Sequence, residues 1–495
     1  MSESSSKKVI TNSLVYSISG LLMKCIRMFL LPLYTAYLTT EDYGITSVTG
    51  SFEKTMGFFV SLSLFVAVTR FYVDLKDNPE KLHRFYGTVV VFTLLSSFVW
   101  ILLLTVFRVP LSKYVFSGLD FYPVIVLCLA ALPFNALHTI HSRIMKSQQK
   151  ALKASIYGIV FFFISLALNI FFVVGLKKGA VGVLTATLIV DVLFAIAFLV
   201  DIIYHKSIRF CLDIPLLKEA LKYSIPIMPH NLSTQITVLV SKVIISGTAS
   251  LASLGLYSVA NQFGQMADTI QTYVNTAYAP WLYERLHDQE QGYKTTIRKT
   301  VNMLVSVLGL LMIGIALFAQ DFIILFLNKS YAAAWRFVPL IVGVFTIKII
   351  YYFYVNVLFY YKKASRLLFT ATLSGSLINV LLSSFMIPAW GAYGSIAADA
   401  IAMLVRVAII VAISIKCENI GLRIRDFILN IIKIIGFIAA AMLPSYLRVE
   451  NEFSLVNLAY KVVVVLVYVA VLFYFHKEQL LGYISTIRNK HNGRH

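Results

Sequence analysis

The chain has 495 residues, 59% of them hydrophobic and only 13% charged, with a formal net charge of +20. Soluble domains carry about 25% charged residues, so this composition excludes a water-soluble fold and, with it, a soluble catalytic domain. The basic balance does not imply nucleic acid as a partner, because basic residues in short loops between membrane spans orient such a chain.

Long apolar stretches recur along the sequence, each near the roughly 20 residues that cross ~30 Å of hydrocarbon as a helix. They are continuous rather than alternating, which excludes a β-barrel. The expected fold class is an all-α polytopic membrane protein with about fourteen spans. The first six lie near 12–38, 45–69, 85–107, 121–141, 154–175 and 179–203. The next six lie near 224–248, 253–279, 297–319, 335–360, 367–388 and 392–415, and two more near 428–447 and 456–475. The longest connection, 204–222, reads as a loop. The first span holds Lys24 and Arg27 and lacks a small-residue cleavage site, so it reads as a retained helix rather than a signal peptide. Cys25, Cys128, Cys211 and Cys417 show neither metal-ligand spacing nor a disulfide framework.

Orientation follows from the basic residues. With the N-terminus in the cytoplasm, 28 of the 43 Lys and Arg fall in or at the edge of cytoplasmic segments. The outer loops hold six: Arg108, Lys113, Lys177, Lys178, Lys329 and Arg448. That bias fits fourteen spans with both termini cytoplasmic.

The sequence also repeats. Gly44-Ile45-Thr46-Ser47-Val48 opens span two and Gly255-Leu256-Tyr257-Ser258-Val259 opens span eight. Gly179-Ala180-Val181-Gly182 and Gly391-Ala392-Tyr393-Gly394 open spans six and twelve. Asn169 matches Asn379, and Lys150-Ala151-Leu152-Lys153 matches Lys363-Ala364-Ser365-Arg366, all at nearly one offset. Six spans per repeat is an even number, so the halves have the same orientation, as in parallel-repeat transporters. The expected organisation is a six-helix bundle over 1–203, a cytoplasmic linker over 204–222, a second bundle over 223–415, and helices 13 and 14 with a basic tail over 416–495.

Polar residues at helical spacing within a span must face protein or a cavity, because lipid cannot satisfy them. Span eight carries Ser258, Asn261, Gln265, Asp268, Thr272 and Asn275 on one face. Its repeat mates on span two are Ser47, Gly50, Lys54, Gly57 and Ser61. Span seven carries Asn231, Gln235 and Lys242, and the matching face of span one carries Lys24 and Arg27. These faces predict a cationic, anion-binding cavity lined by Lys24, Arg27, Lys54, Lys242, Asn231, Gln235, Asn261 and Gln265. Lys348 and Arg406 are weaker candidates. Asp268, Asp399 and Asp191 are the embedded acids that could couple transport to a proton or sodium ion, or pair with the bases. Lys433, Lys461, His138 and His141 read as interfacial. The tyrosines on span ten, Tyr351, Tyr352, Tyr354, Tyr360 and Tyr361, fit an interfacial belt better than sugar contact. No Walker A, HExxH or GxSxG motif is present, so no catalytic residue, metal or cofactor is expected.

Three stretches resemble the Wzx-type polysaccharide flippases, of the superfamily that also holds the murein-lipid flippases and multidrug extruders. They are Leu38-Thr39-Thr40-Glu41-Asp42-Tyr43-Gly44, Tyr223-Ser224-Ile225-Pro226-Ile227-Met228-Pro229, and Asn169 followed by Gly179-Ala180-Val181-Gly182 with its second copy. The resemblance implies no enzyme but a transporter of the bacterial cytoplasmic membrane, with two bundles alternating access. Its implied substrate is an undecaprenyl-pyrophosphate-linked oligosaccharide destined for O-antigen or capsule, its surroundings membrane lipids, its candidate partners other polysaccharide-assembly proteins. Lys24, Arg27 and Lys54 look equivalent to the pyrophosphate-binding bases of murein-lipid flippases; span eight departs, with Gln265 and Asp268. A multidrug extruder would want an acidic cavity, and a membrane polymerase or glycosyltransferase a sizeable outer loop; neither is seen.

Overall fold

The computed structural model describes residues 20, 28, 30–205, 208–361, 367–448 and 451–492, which contain helices and no strand. Lys24, Arg27 and Cys25 lie outside the described residues. The principal helices begin with α1 (Leu31–Tyr37), α2 (Thr40–Ser61), α3 (Leu64–Leu75) and α4 (Pro79–Val106). Next come α5 (Val126–Ser147), α6 (Ala151–Asn169), α7 (Gly179–His205), α8 (Ile214–Ser224), α9 (Met228–Thr248) and α10 (Leu251–Asp288). The chain continues with α11 (Tyr293–Phe326), α12 (Val338–Tyr360), α13 (Leu368–Trp390), α14 (Ala392–Cys417), α15 (Ile424–Arg448) and α16 (Leu455–Asn492).

Ten described segments are long and apolar enough to cross a membrane, and α2 with α3, bent by 48° between Ser61 and Leu64, makes eleven. α9 and α10 stand where spans seven and eight are predicted, with their polar stripes. Span one lies mostly outside the described residues. The architecture is therefore the expected polytopic helical one.

The described helices form two compact units: Met1–Ser258 with Ser376–Ala398, and Val259–Gly375 with Asp399–His495. In the first, the repeat is visible in the backbone. Gly179 and Gly391, its two copies, share nearly the same left-handed φ, +53° and +56°. Only glycine takes such a φ at little cost. Asn169 and Asn379 are both buried. The 38–44 stretch has a local logic too. Thr39 caps α2 and Asp42 closes the capping box, each side chain accepting from the other's backbone N–H. The second Asp42 oxygen accepts from the Ala180 N–H at 2.8 Å, tying the start of α2 to the start of α7.

Where a loop was expected over 204–222, α8 forms. Asp213 caps it, accepting from the Leu216 N–H, and Pro215 sits in its first turn. It buries Leu216, Leu217 and Ala220 against α3 and α4, and Arg84 anchors Asp213 at 2.7 Å. The apolar residues recur at helical spacing, which the composition of a connecting segment concealed. His141, expected at an interface, is instead 3% exposed and stacked on Phe198 with ring centroids 4.3 Å apart. His138 packs on Phe161 at 4.5 Å. Both imidazoles serve there as aromatic packing surfaces, and His141 Nε2 lies 3.8 Å from an Asp201 carboxylate oxygen.

In the second unit, α11 packs against α12, α15 and α16. Lys461 is a correction: it is not interfacial but fully buried, donating to Asp321 at 2.7 Å and Gln320 at 2.8 Å. Position near a span's end misled, because the partner acid sits on another helix. Removing one member of a buried pair strands the other charge, at a cost of about 3–5 kcal/mol. Lys461→Met should therefore lower the unfolding temperature of the detergent-solubilised protein, and adding Asp321→Asn should recover most of the loss. An unchanged melting curve for the single variant would show that the pair is not holding α16 to α11.

Candidate functional site

In the first unit, α2 and α9 pack together and set the predicted Lys242 against α2. Lys242, half-buried on α9, donates to the Ser51 hydroxyl at 2.7 Å and the Ser47 carbonyl at 3.2 Å. Among the described residues no carboxylate lies within ion-pair distance of Lys242. Lys54 is exposed on the same helix as Ser47 and Ser51, about one turn beyond Ser51. Lys54 stands between Gly50 and Gly57, and a methyl group at either glycine would meet no atom of the described residues within 4 Å. Among the described residues this face of α2 is therefore open beside its basic residue. An ammonium held only by hydroxyl and carbonyl oxygens is costly until an anion joins it. Asn231 and Gln235 lie half-buried on α9.

The acids separate. On α2, Glu53 is buried, 9% exposed, with the Cys128 thiol against it. Asp191 on α7 is 1% exposed, lies against Asn135, and leaves Oδ2 without a described hydrogen-bond partner. In the second unit, Asp268 is paired: its Oδ1 accepts from Lys348 Nζ at 2.7 Å and Tyr352 Oη at 3.0 Å. Asn261 is half-buried and Gln265 exposed on the same helix. Asp399 is half-buried on α14, within electrostatic reach of Arg406.

A family model described as "Polysaccharide biosynthesis protein" matches residues 9–286, more than half of the chain. The chain belongs to that family. A curated relative from Haemophilus influenzae, described as an uncharacterized membrane protein, is 24% identical over 377 residues, covering 74% of this chain and 87% of the relative. Among solved structures, the lipid II flippase MurJ in an inward closed conformation matches with a TM-score of 0.69 at 17% identity, covering 94% of this chain and 100% of that one. An inward-facing multidrug transporter of the MATE family and MOP superfamily matches with a TM-score of 0.58 at 15% identity, over 82% and 98%. At such identities the structures give the fold alone. Fold and family make the chain a polytopic helical membrane protein of the polysaccharide biosynthesis family.

In this member of the polysaccharide biosynthesis family, Lys54 lies on α2 about one turn from Ser51, the residue that holds Lys242. Asp268 and Lys348 form a pair, one of the two roles expected for the embedded acids. Ser51, which holds Lys242, was missed: it is one step off the stripe, and no pattern marks a serine as a lysine's partner. Glu53 is buried where its neighbour Lys54 is exposed, because residues adjacent in a helix point about 100° apart.

Proposed function

We propose that the protein flips an undecaprenyl-pyrophosphate-linked oligosaccharide from the cytoplasmic to the outer leaflet of the bacterial cytoplasmic membrane, serving O-antigen or capsule assembly. Both termini lie in the cytoplasm, and the bundles over 1–203 and 223–415 alternate access. The observation that carries this reading is Lys242, whose ammonium is held by two oxygens of α2 with no carboxylate in ion-pair distance among the described residues. Such a cation suits a pyrophosphate. Lys24 and Arg27 would add to it from span one, and Asn231, Gln235, Asn261 and Gln265 would serve the polar remainder. Asp191, buried with an unbonded oxygen, is the strongest candidate for a coupling ion among the described acids. Asp268, already paired with Lys348, is weaker.

A pyrophosphate diester carries about two negative charges, and each moves outward down an inside-negative potential with a gain of roughly 2.3 kcal/mol per 100 mV. The decisive experiment is translocation of defined lipid-linked oligosaccharides in vesicles holding the purified protein. Translocation should accelerate when an inside-negative potential is imposed at clamped pH. Extrusion of organic cations without any lipid-linked sugar movement would replace this reading with a multidrug one.

A further inference from the structure

Resting on that reading, we infer that α10 and α12 of the second unit carry a separate subsite for the uncharged, hydroxyl-rich part of the substrate, centred on Asp268, Tyr352 and Asn275. The two helices place matched polar residues opposite one another. Asp268 meets Lys348 at 2.7 Å, Thr272 meets Tyr352 at 3.0 Å, and Asn275 accepts from Asn356 at 2.7 Å. On α10 these positions are one turn apart, so the row forms a single face. The face is not sealed: the Asp268 side chain is 32% exposed and that of Lys348 19%. Hydrocarbon cannot satisfy half-exposed carboxyl, amide and phenol groups, so this face must meet water or a polar ligand.

Charge then selects the ligand. Asp268 and Lys348 cancel, and the rest of the row is neutral, whereas Lys242 in the first unit has no carboxylate within ion-pair distance among the described residues. An anion gains little from a closed ion pair. A polyol gains more, because the row has bonding capacity left over. Asp268 uses Oδ1 for both of its donors, and Oδ2 accepts from no described residue. Asn275 uses Oδ1, and its Nδ2 donates to no described residue. A free acceptor and a free donor thus stand seven residues apart, about 10 Å along the helix, with the Tyr352 hydroxyl between them. Sugar hydroxyls donate and accept at once, which suits this spacing of opposite needs. A site built to hydrogen-bond hydroxyls also discriminates strongly against ligands that lack them.

The test uses the full-length protein in nanodiscs and two probes. One is the organic-solvent extract of lipid-linked oligosaccharide from the source cells. The other is the same extract after mild acid, which cuts the sugar from the pyrophosphate and leaves undecaprenyl pyrophosphate. The wild type should bind the sugar-bearing lipid more tightly, by on the order of tenfold for two or three hydrogen bonds. Asn275→Ala and the milder Tyr352→Phe should each shrink that ratio while leaving affinity for the bare lipid unchanged. Lys242→Gln should weaken both probes alike and preserve the ratio. An unchanged ratio in both row variants, or an equal loss for both probes, would overturn the subsite and mark the row as helix packing. Lack of any effect from Lys242→Gln on the bare lipid would instead overturn the anion reading, so the two failures are told apart.

Discussion

Lys242→Gln should reduce surface glycan to below about a tenth of wild type in cells lacking their own flippase, at matched membrane abundance. One lost charge-assisted contact to a pyrophosphate accounts for on the order of tenfold or more, about 1.4 kcal/mol per factor of ten. The substitution keeps the size of the side chain and its reach toward Ser51, so folding should survive. Ser51→Ala leaves the charge in place and removes only the hydroxyl at 2.7 Å; its loss should be smaller, about two- to fivefold. Lys54→Gln should fall between them, because Lys54 is the more exposed partner and water can screen it. Wild-type glycan from a Lys242→Gln, Lys54→Gln double variant at normal abundance would remove the anion site from this face altogether.

The sequence carries more of this fold than of its site, for physical reasons. The helical, polytopic architecture is written in runs of apolar residues, which are properties of single segments. The repeat is legible where backbone geometry restricts the residue: Gly179 and Gly391 recur because a left-handed φ admits little else. Side-chain pairing across helices is not a property of one segment. Lys461 near a span's end resembles any snorkelling lysine until Asp321 of another helix is placed against it. Asp268 reads equally as a coupling acid or as a base's partner for the same reason, with Lys348 eighty residues away. The stripe on span two includes Gly50 and Gly57, where no described atom stands within 4 Å of an added methyl. It did not reveal that Gly44, on the same helix, has the opposite reason to be glycine.

Gly44→Ala and Gly255→Ala should each abolish transport while leaving insertion intact. These two residues are repeat mates, and α2 and α10 cross there with backbone against backbone in the first unit. A Cβ at Gly44 would lie 2.0 Å from the Leu251 carbonyl oxygen, and one at Gly255 would lie 1.9 Å from that of Thr40. Neither obstacle is a side chain that can swing aside; both belong to the opposing helix, so the helices themselves must part. Small residues at such crossings let membrane helices approach closely, and the next mates, Ser47 and Ser258, hydrogen-bond at 2.6 Å. Overpacking of this kind costs typically 1–3 kcal/mol and falls on the crossed arrangement alone. If the two helices must close and reopen at this end in each cycle, the alanine variants would keep them apart. A disulfide between Ser47→Cys and Ser258→Cys reads the crossing directly: it should form in an otherwise wild-type chain and fail to form when Gly44→Ala is added. Gly50→Ala and Gly57→Ala are the controls, the same substitution on the same helix where no described atom stands in the way, and neither should interfere with the disulfide. Equal activity and equal cross-linking in Gly44→Ala and Gly50→Ala would mean that this crossing neither needs its glycines nor takes part in transport.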